Sequence, residues 1–599
     1  MKNISFDNVN LNSGFWAEKQ KLIREVSMKN VCKRFEETGR FEGTKLSWKE
    51  GQPNKPHVYY DSDIAKWIES VAYILTKHDA PELREYASNV IDAIVSSQDE
   101  DGYYNQYYQI FEKDKRFTDR NAHELYCLGH LIEAAVAWYN ALGEDKLLRA
   151  VEKYVDYVIK CFITDKTAKF ASPGHEEIEL ALVKLYDLTK EKKYLDLALH
   201  FINIRGTAED PGGYINIQAH IPVREQRTAE GHSVRAVYLY SAMADLALRT
   251  GDESLKETCL DIYRNITTKR MYITGGIGSS ASGEMFSYDY DLPNIHAYAE
   301  SCANLGLALF CRRLNLLDES SDYADTIERV IYNGFLSSVS LDGKSFFYEN
   351  PLEIDPALLQ RRGEQYPITQ RLEVFGCSCC PPNITRFISS IGDFIYNVDG
   401  NRVYINQFIS NSAEFDFMGE KAEISMESGF PYDGKVKIVW NGPEAEIMIR
   451  LPSWCDNYKA DEKGYIRRTV QNGDVLCFDF EMKTVMYEAD PRVRENAGRF
   501  ALTRGPLIFC LEGVDNGSYL KDISVKSDGD IIMGYDKNLD LPVMIVDGYR
   551  RKHTDREKLY QPVTDDYINL KLKFIPYFAF ANRGETEMLI WTQIRRECK

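Results

Sequence analysis

The sequence predicts a mainly α fold with β: a helical domain followed by β-rich domains, because its apolar spacing changes period at about residue 398. From about residue 15 to 395 apolar residues recur at helical intervals, as in Ser62-Asp-Ile-Ala-Lys-Trp-Ile-Glu-Ser-Val-Ala-Tyr-Ile-Leu75. Beyond it they alternate, as in Arg402-Val-Tyr-Ile-Asn-Gln-Phe408, and Asn-Gly turns at Asn441 and Asn472 punctuate the strands. Long polar or aromatic connections separate the helices, among them 101–108, 209–227 and 273–294. Loops of that length inside a compact helical domain usually carry function.

In chain order the helical period covers His130–Tyr139, Leu147–Cys161, Glu176–Leu188, Lys193–Ile202, Ser233–Thr250, Ser254–Lys269, Ala297–Leu314 and Tyr323–Leu336. A further helix is expected from about Thr385, behind Pro381 and Pro382. Repeated helical hairpins with one set of long loops suit an α/α barrel whose loops meet at one mouth; periodicity establishes the helices, and the closure is inferred. Alternation over Lys435–Trp440 and Ala445–Leu451, then over Phe500–Arg504, Pro506–Leu511, Ile568–Phe578 and Met588–Gln593, reads as two β-sandwiches. No low-complexity tract or glycine-rich phosphate loop interrupts them.

Composition narrows the partners. A net charge of −18 argues against nucleic acid and anionic membrane surfaces, which require a basic patch, and leaves a small or neutral molecule. No run of 18 apolar residues could cross a bilayer. The first residues lack the apolar core of a secretory signal, so the expected compartment is the cytoplasm, with thiols reduced. The 13 cysteines are an odd, mostly scattered set, which excludes a disulfide framework. Aromatic residues at 12% either stack on sugar faces or fill cores.

Chemistry concentrates in Phe375-Gly-Cys-Ser-Cys-Cys-Pro-Pro-Asn-Ile-Thr-Arg-Phe387, where three cysteines fall within four residues ahead of a helix N-terminus. Thiols held there are stabilised as thiolates, which serve as metal ligands or nucleophiles. Glu300-Ser-Cys302 lies 77 residues upstream of Cys379-Cys380, and Glu300, Cys302, Cys379 and Cys380 would suffice for tetrahedral Zn²⁺. On a regular helix residues i and i+2 diverge by about 200°, so either that helix begins late or Glu300 reaches around. Spacing alone leaves the plainer reading open: Cys302 a buried hydrophobe, Glu300 solvated, the cysteine pair mere packing and Cys377 a loop residue.

These segments resemble the β-L-arabinofuranosidases of glycoside hydrolase family 127 and close relatives over nearly the whole chain. The resemblance rests on Tyr272–Ser279, Gly283-Glu-Met-Phe-Ser-Tyr-Asp-Tyr-Asp-Leu-Pro-Asn294, Glu300-Ser-Cys302, Phe347–Glu353 and the cysteine-rich stretch, with His123–His130, Pro173–Ala181 and Glu230–Ala236 agreeing. It implies an (α/α)6 barrel catalytic domain at 1–398 and β-sandwich domains at 399–497 and 498–599. It implies zinc on Glu300, Cys302, Cys379 and Cys380, Cys379 as nucleophile and Glu284 as general acid/base. By the same matching His123, His175, His232 and Tyr348 resemble sugar-contacting or nucleophile-supporting residues. One departure concerns the sugar: the family's glutamine-bearing loop before Asp61-Ser-Asp63 is matched by Phe41–Trp48, which has no glutamine.

The expectation is a zinc-dependent retaining glycosidase that releases β-L-arabinofuranose from short plant-derived oligosaccharides, with the β-domains as the surface for any homodimer. Its rivals are the same scaffold on another rare pectic sugar, an α/α-barrel epimerase or lyase, and a carbohydrate-binding protein with structural zinc.

Overall fold

The computed structural model describes residues 1–358, 368–373, 376–527, 529–552, 558–563 and 566–595; Phe375 and Cys598 lie outside them. Six helices, Tyr60–Lys77, Glu124–Leu142, Ile178–Thr189, Ser233–Thr250, Ser301–Leu317 and Cys380–Ser389, pack each on the next and the last on the first. They are buried almost all round: Trp67, Trp138, Tyr238 and Phe310 are all at most 1% exposed. A helix apolar on every side needs a second layer outside it. Pro81–Ser96, Lys146–Ile159, Lys192–Ile204, Glu253–Asn265 and Asp322–Arg329 supply it, each following and packing on its inner neighbour.

Three helix starts differ from expectation by more than two residues: the helix expected from His130 begins at Glu124, and the other two fall at the thiol-rich segments. The helix expected from Ala297 begins at Ser301, because Ala299 takes a left-handed φ of 41° and Glu300, at φ −54° and ψ 138°, stands outside the helix as its N-cap. The helix expected from Thr385 begins at Cys380, with Pro381 and Pro382 in its first turn, where a missing N–H costs no intrahelical bond.

After residue 395 strands take over. One five-stranded sheet runs Lys2–Asn3, Tyr396–Asp399, Arg402–Ile405, Ala445–Arg450, Tyr465–Val470; a second runs Asp474–Asp479, Lys435–Asn441, Glu420–Ser428, Asn411–Phe417, Val9–Asn10. The chain's first ten residues thus belong to sheets far along the sequence, which two-residue strands are too short to announce by alternation. The remaining strands form a single ten-stranded sheet rather than two separate ones. Its strands Arg499–Arg504 and Leu507–Glu512 pair with each other as well as with opposite ends of the path, so six strands close a ring and lose their free edges. Glu353–Ile354, from the helical region, extends this sheet beside Met588–Leu589.

Arg450 ties helices to strands. Fully buried on strand Ala445–Arg450, it pairs with Asp325 and Glu328 of helix Asp322–Arg329, and its Nε donates to Asn406 O at 2.7 Å. Arg450→Met would leave two carboxylates buried without their cation, a loss of about 3–5 kcal/mol. Calorimetry should show the first unfolding transition of this variant well below that of the unmodified protein; an unchanged midpoint would contradict the role.

Candidate active site

Residues at the heads of the six inner helices line one cavity of about 550 Å³: Tyr59, His123, His175, His232, Glu300 and Cys379 each stand at, or within three residues of, a helix start. A larger cavity of about 880 Å³ against the ten-stranded sheet, lined by Tyr519, Arg550 and Tyr560, contains none of the predicted site residues.

At one side of the site four ligand atoms converge. The sulfurs of Cys302, Cys379 and Cys380 lie 3.3, 3.7 and 3.8 Å apart, and Glu300 Oε1 is 3.7 Å from those of Cys379 and Cys380. A tetrahedral ion with metal–sulfur bonds of about 2.3 Å separates its sulfur ligands by about 3.8 Å. Glu300 as N-cap is what lets it converge with Cys302, since neither has to reach around a helix. Glu300 Oε2 is buried without a hydrogen-bond partner, an acceptor a cation would satisfy. Burial, then the neighbouring Cys379 thiol, pushes the Glu300 carboxyl well above its ordinary value. Burial and hydrogen bonds with Cys302 and Cys379 do the same to Cys380. Burial also opposes charge on Cys302, but its hydrogen bonds with the other two thiols outweigh that and bring it down to about 6. Four such acids in one dry space cannot all ionise without a counter-cation, so the donor set fits Zn²⁺.

Cys302 and Cys380 are buried, whereas Cys379 is half-buried and faces the cavity. Its thiol donates to Tyr348 Oη at 3.5 Å, and Tyr348 Oη donates to Glu284 Oε1 at 3.4 Å. Tyr298 Oη donates to the same oxygen at 2.6 Å, and His232 Nε2 lies 2.6 Å from Oε2. Burial works against the Glu284 anion, but the hydrogen bonds from His232 and Tyr298 and the Arg235 guanidinium prevail and hold the carboxyl below its ordinary value. Burial lowers His232 below its ordinary value, which favours the neutral ring donating Nε2–H to Glu284. The carboxylate is aimed by a sharp turn in which Gly283 (φ 72°) and Glu284 (φ 55°) are both left-handed. A Cβ at Gly283 would meet Met285 Sδ at 2.9 Å and Asn216 Nδ2 at 3.0 Å, so glycine is required there. Ser233 Oγ closes the turn on Glu284 O at 3.1 Å.

His123, His175 and His232 form an arc along the cavity wall, with successive ring centroids 5.6 and 5.5 Å apart, His232 ending it beside Glu284. Burial drives His123 down to about 3 and His175 well below its ordinary value, so both present neutral rings able to hydrogen-bond hydroxyl groups. All nine predicted site residues therefore gather in or immediately under one cavity, Cys380 being the one set beneath its wall. Cys377, read as a plain loop residue, also lines it. Sequence reasoning missed Tyr298, Arg235 and Asp63, which share the walls. Tyr298 lies two residues before Glu300 and Asp63 in the Asp-Ser-Asp motif, the signals that could have found them. No glutamine lines the cavity among the described residues, in keeping with the departure at Phe41–Trp48.

A carboxylate held by three donors, facing a cavity-exposed thiol across a pocket walled with imidazole and phenol groups, is the equipment of a glycoside hydrolase. The catalytic-domain model of the GH127 β-L-arabinofuranosidases matches residues 8–393, and the GH127 middle and C-terminal domain models match 402–482 and 484–593. The chain belongs to glycoside hydrolase family 127. It is 35% identical to the non-reducing end β-L-arabinofuranosidase of Bifidobacterium longum subsp. longum over 89% of each chain. The crystal structure of a GH127 β-L-arabinofuranosidase from Geobacillus stearothermophilus T6 superposes with a TM-score of 0.93 at 38% identity, covering 98% of this chain and all of that one. A solved GH127 β-arabinofuranosidase gives 0.91 at 34% identity over 99% of this chain and 98% of that one. Among the described residues no helix is long and apolar enough to cross a membrane.

Proposed function

We propose that this chain is a retaining exo-glycosidase that removes β-L-arabinofuranose from the non-reducing end of short plant-derived oligosaccharides in the cytoplasm. The sugar is that of the two β-L-arabinofuranosidases to which the chain is 35% and 38% identical. The carrying observation is the chain of contacts from Cys379 Sγ through Tyr348 Oη to Glu284 Oε1, which joins a nucleophile to an acid/base across the cavity.

Cys379 reacts as the thiolate and Glu284 as the carboxylic acid, its proton taken up from solvent; Tyr348 bridges the two groups. Glu284 gives that proton to the glycosidic oxygen as the thiolate attacks the anomeric carbon; the carbon–oxygen bond breaks and a carbon–sulfur bond forms on Cys379. Glu284, again a carboxylate, takes a proton from water, whose oxygen displaces the thiolate from the same carbon. Two displacements retain configuration. The donors on Glu284 favour its anion, the protonation state it must hold at the start of the second half. Glu300, Cys302, Cys379 and Cys380 would hold zinc, which when bound favours the thiolate form of its cysteine ligands at neutral pH. His123 and His175 would hold the sugar hydroxyls, while His232, matched as sugar-contacting or nucleophile-supporting, is engaged with Glu284 and Val234 N.

We further take the helical ring as an (α/α)6 barrel spanning 1–398, followed by β-domains at 399–497 and 498–599. The last inner helix packing on the first supports closure, and the three family matches, at 8–393, 402–482 and 484–593, support the divisions. Unpaired thiols at all 12 described cysteines support a reducing compartment.

The test is a panel of p-nitrophenyl glycosides with product configuration followed by NMR. Release of β-L-arabinofuranose as the first-formed anomer, well ahead of other pentosides and deoxy sugars, is expected; preference for another sugar or first formation of the α-anomer would overturn the assignment.

A further inference from the structure

Helix Cys380–Ser389 presents a second residue to the thiol cluster. Asn383 lies three positions beyond Cys380, hence on the same helix face, and is fully buried. Its Nδ2 lies 3.2 Å from Cys302 Sγ and 3.0 Å from Tyr238 Oη. The amide's orientation is dictated from the other side: Arg386 Nε, which can only donate, meets Asn383 Oδ1 at 2.6 Å. Arg386 in turn is held by Glu69 and Glu133, with Nη1 2.7 and 2.5 Å from their oxygens. Oδ1 therefore faces the guanidinium and the NH₂ faces the sulfur.

Three thiolates and a carboxylate around a divalent ion leave two excess negative charges on a largely buried group, Cys379 alone being half-buried. Buried charge of that kind persists only where donors and nearby cations offset it. Lys66, fully buried with its Nζ 2.7 Å from Tyr126 Oη, supplies a nearby cation, whereas the charge of Arg386 is already met by Glu69 and Glu133. Asn383 supplies the donor on the sulfur itself.

Resting on the zinc–thiolate reading above, we propose that Asn383 is a positioning residue for the thiol cluster. Its N–H orients the Cys302 sulfur toward the ion and draws charge from it, and the Glu69–Arg386–Glu133 group holds the amide in that sense. Asn383 does not touch the substrate cavity; it acts through Cys302.

Cobalt-loaded protein reads this directly, because thiolate-to-cobalt absorption reports the charge on sulfur. Asn383→Leu removes the donor, and Asn383→Asp removes it while keeping an acceptor for Arg386. Both should move the band to lower energy and weaken the metal about 10–100-fold in competition with a chelator. A band and an affinity equal to those of the unmodified protein in both variants would overturn the proposal while leaving the metal site standing. No thiolate band in the unmodified protein would overturn the zinc reading along with it. Should neither variant fold, a neutron structure of the zinc-loaded unmodified protein decides: the NH₂ of Asn383 on Cys302 Sγ is expected, and an amide turned away overturns it.

Discussion

Cys379→Ser is expected to lower kcat/KM on p-nitrophenyl β-L-arabinofuranoside by about 10⁴-fold or more, the scale on which removing a covalent nucleophile acts. Serine keeps the shape but has a far higher pKa and is a poorer nucleophile. The substitution also removes a ligand atom, so the matching control is Cys380→Ser. Cys380 is fully buried and Cys379 faces the cavity, which separates the two roles in space. Intact mass after treatment with a mechanism-based arabinofuranoside inhibitor should show an adduct on the unmodified protein and on Cys380→Ser, and none on Cys379→Ser. Full activity of Cys379→Ser would end the nucleophile assignment.

Glu284→Gln is expected to slow turnover by roughly 10²–10⁴-fold, the usual contribution of a general acid/base. The amide keeps an oxygen for the Tyr298 hydroxyl, 2.6 Å away in the unmodified protein, so the wall should stay intact. Nitrophenolate leaves without protonation, so the first half-reaction should survive and the second stall, giving a burst equal to the enzyme concentration. A disaccharide needs the acid and should show no burst. Azide, which needs no base, should restore release of nitrophenol. Equal losses on both substrates without azide rescue would sink the acid/base role.

The helical period located the inner helices to within a few residues, because each buries nearly its whole surface and so repeats apolar residues on every turn. It failed at the two helix starts that matter most. Ala299 adopts a left-handed conformation that a residue list does not reveal, and two prolines looked like a barrier when they are a first turn. The residues proposed as nucleophile, acid/base and ligands were picked out through a family's motifs, and the fold brings them together at one cavity. Tyr298, whose hydroxyl bonds Glu284, was invisible because its significance depends on a loop 14 residues away folding back over it. Asn383 sat in the stretch that drew attention first, yet its partner Cys302 is 81 positions distant on another helix. The closure of the ten-stranded sheet escaped alternation for a similar reason, since alternation tells which face is buried and says nothing of which strand lies alongside.

Tyr59, His123, His175, His232, Glu300 and Cys379 each belong to a different inner helix, and those helices neighbour one another in chain order. Reading the sequence from end to end is therefore walking once around the pocket. On the proposed assignment the sulfurs and Glu300 stand at the last two stations of that walk and Glu284 on the loop before them, braced by His232 of the fourth, while the earlier stations would face the sugar. A change of sugar can be made at the early loops, by lengthening or exchanging one connection, without moving a single sulfur. The scaffold separates the choice of substrate from the means of cleaving it by a third of a turn.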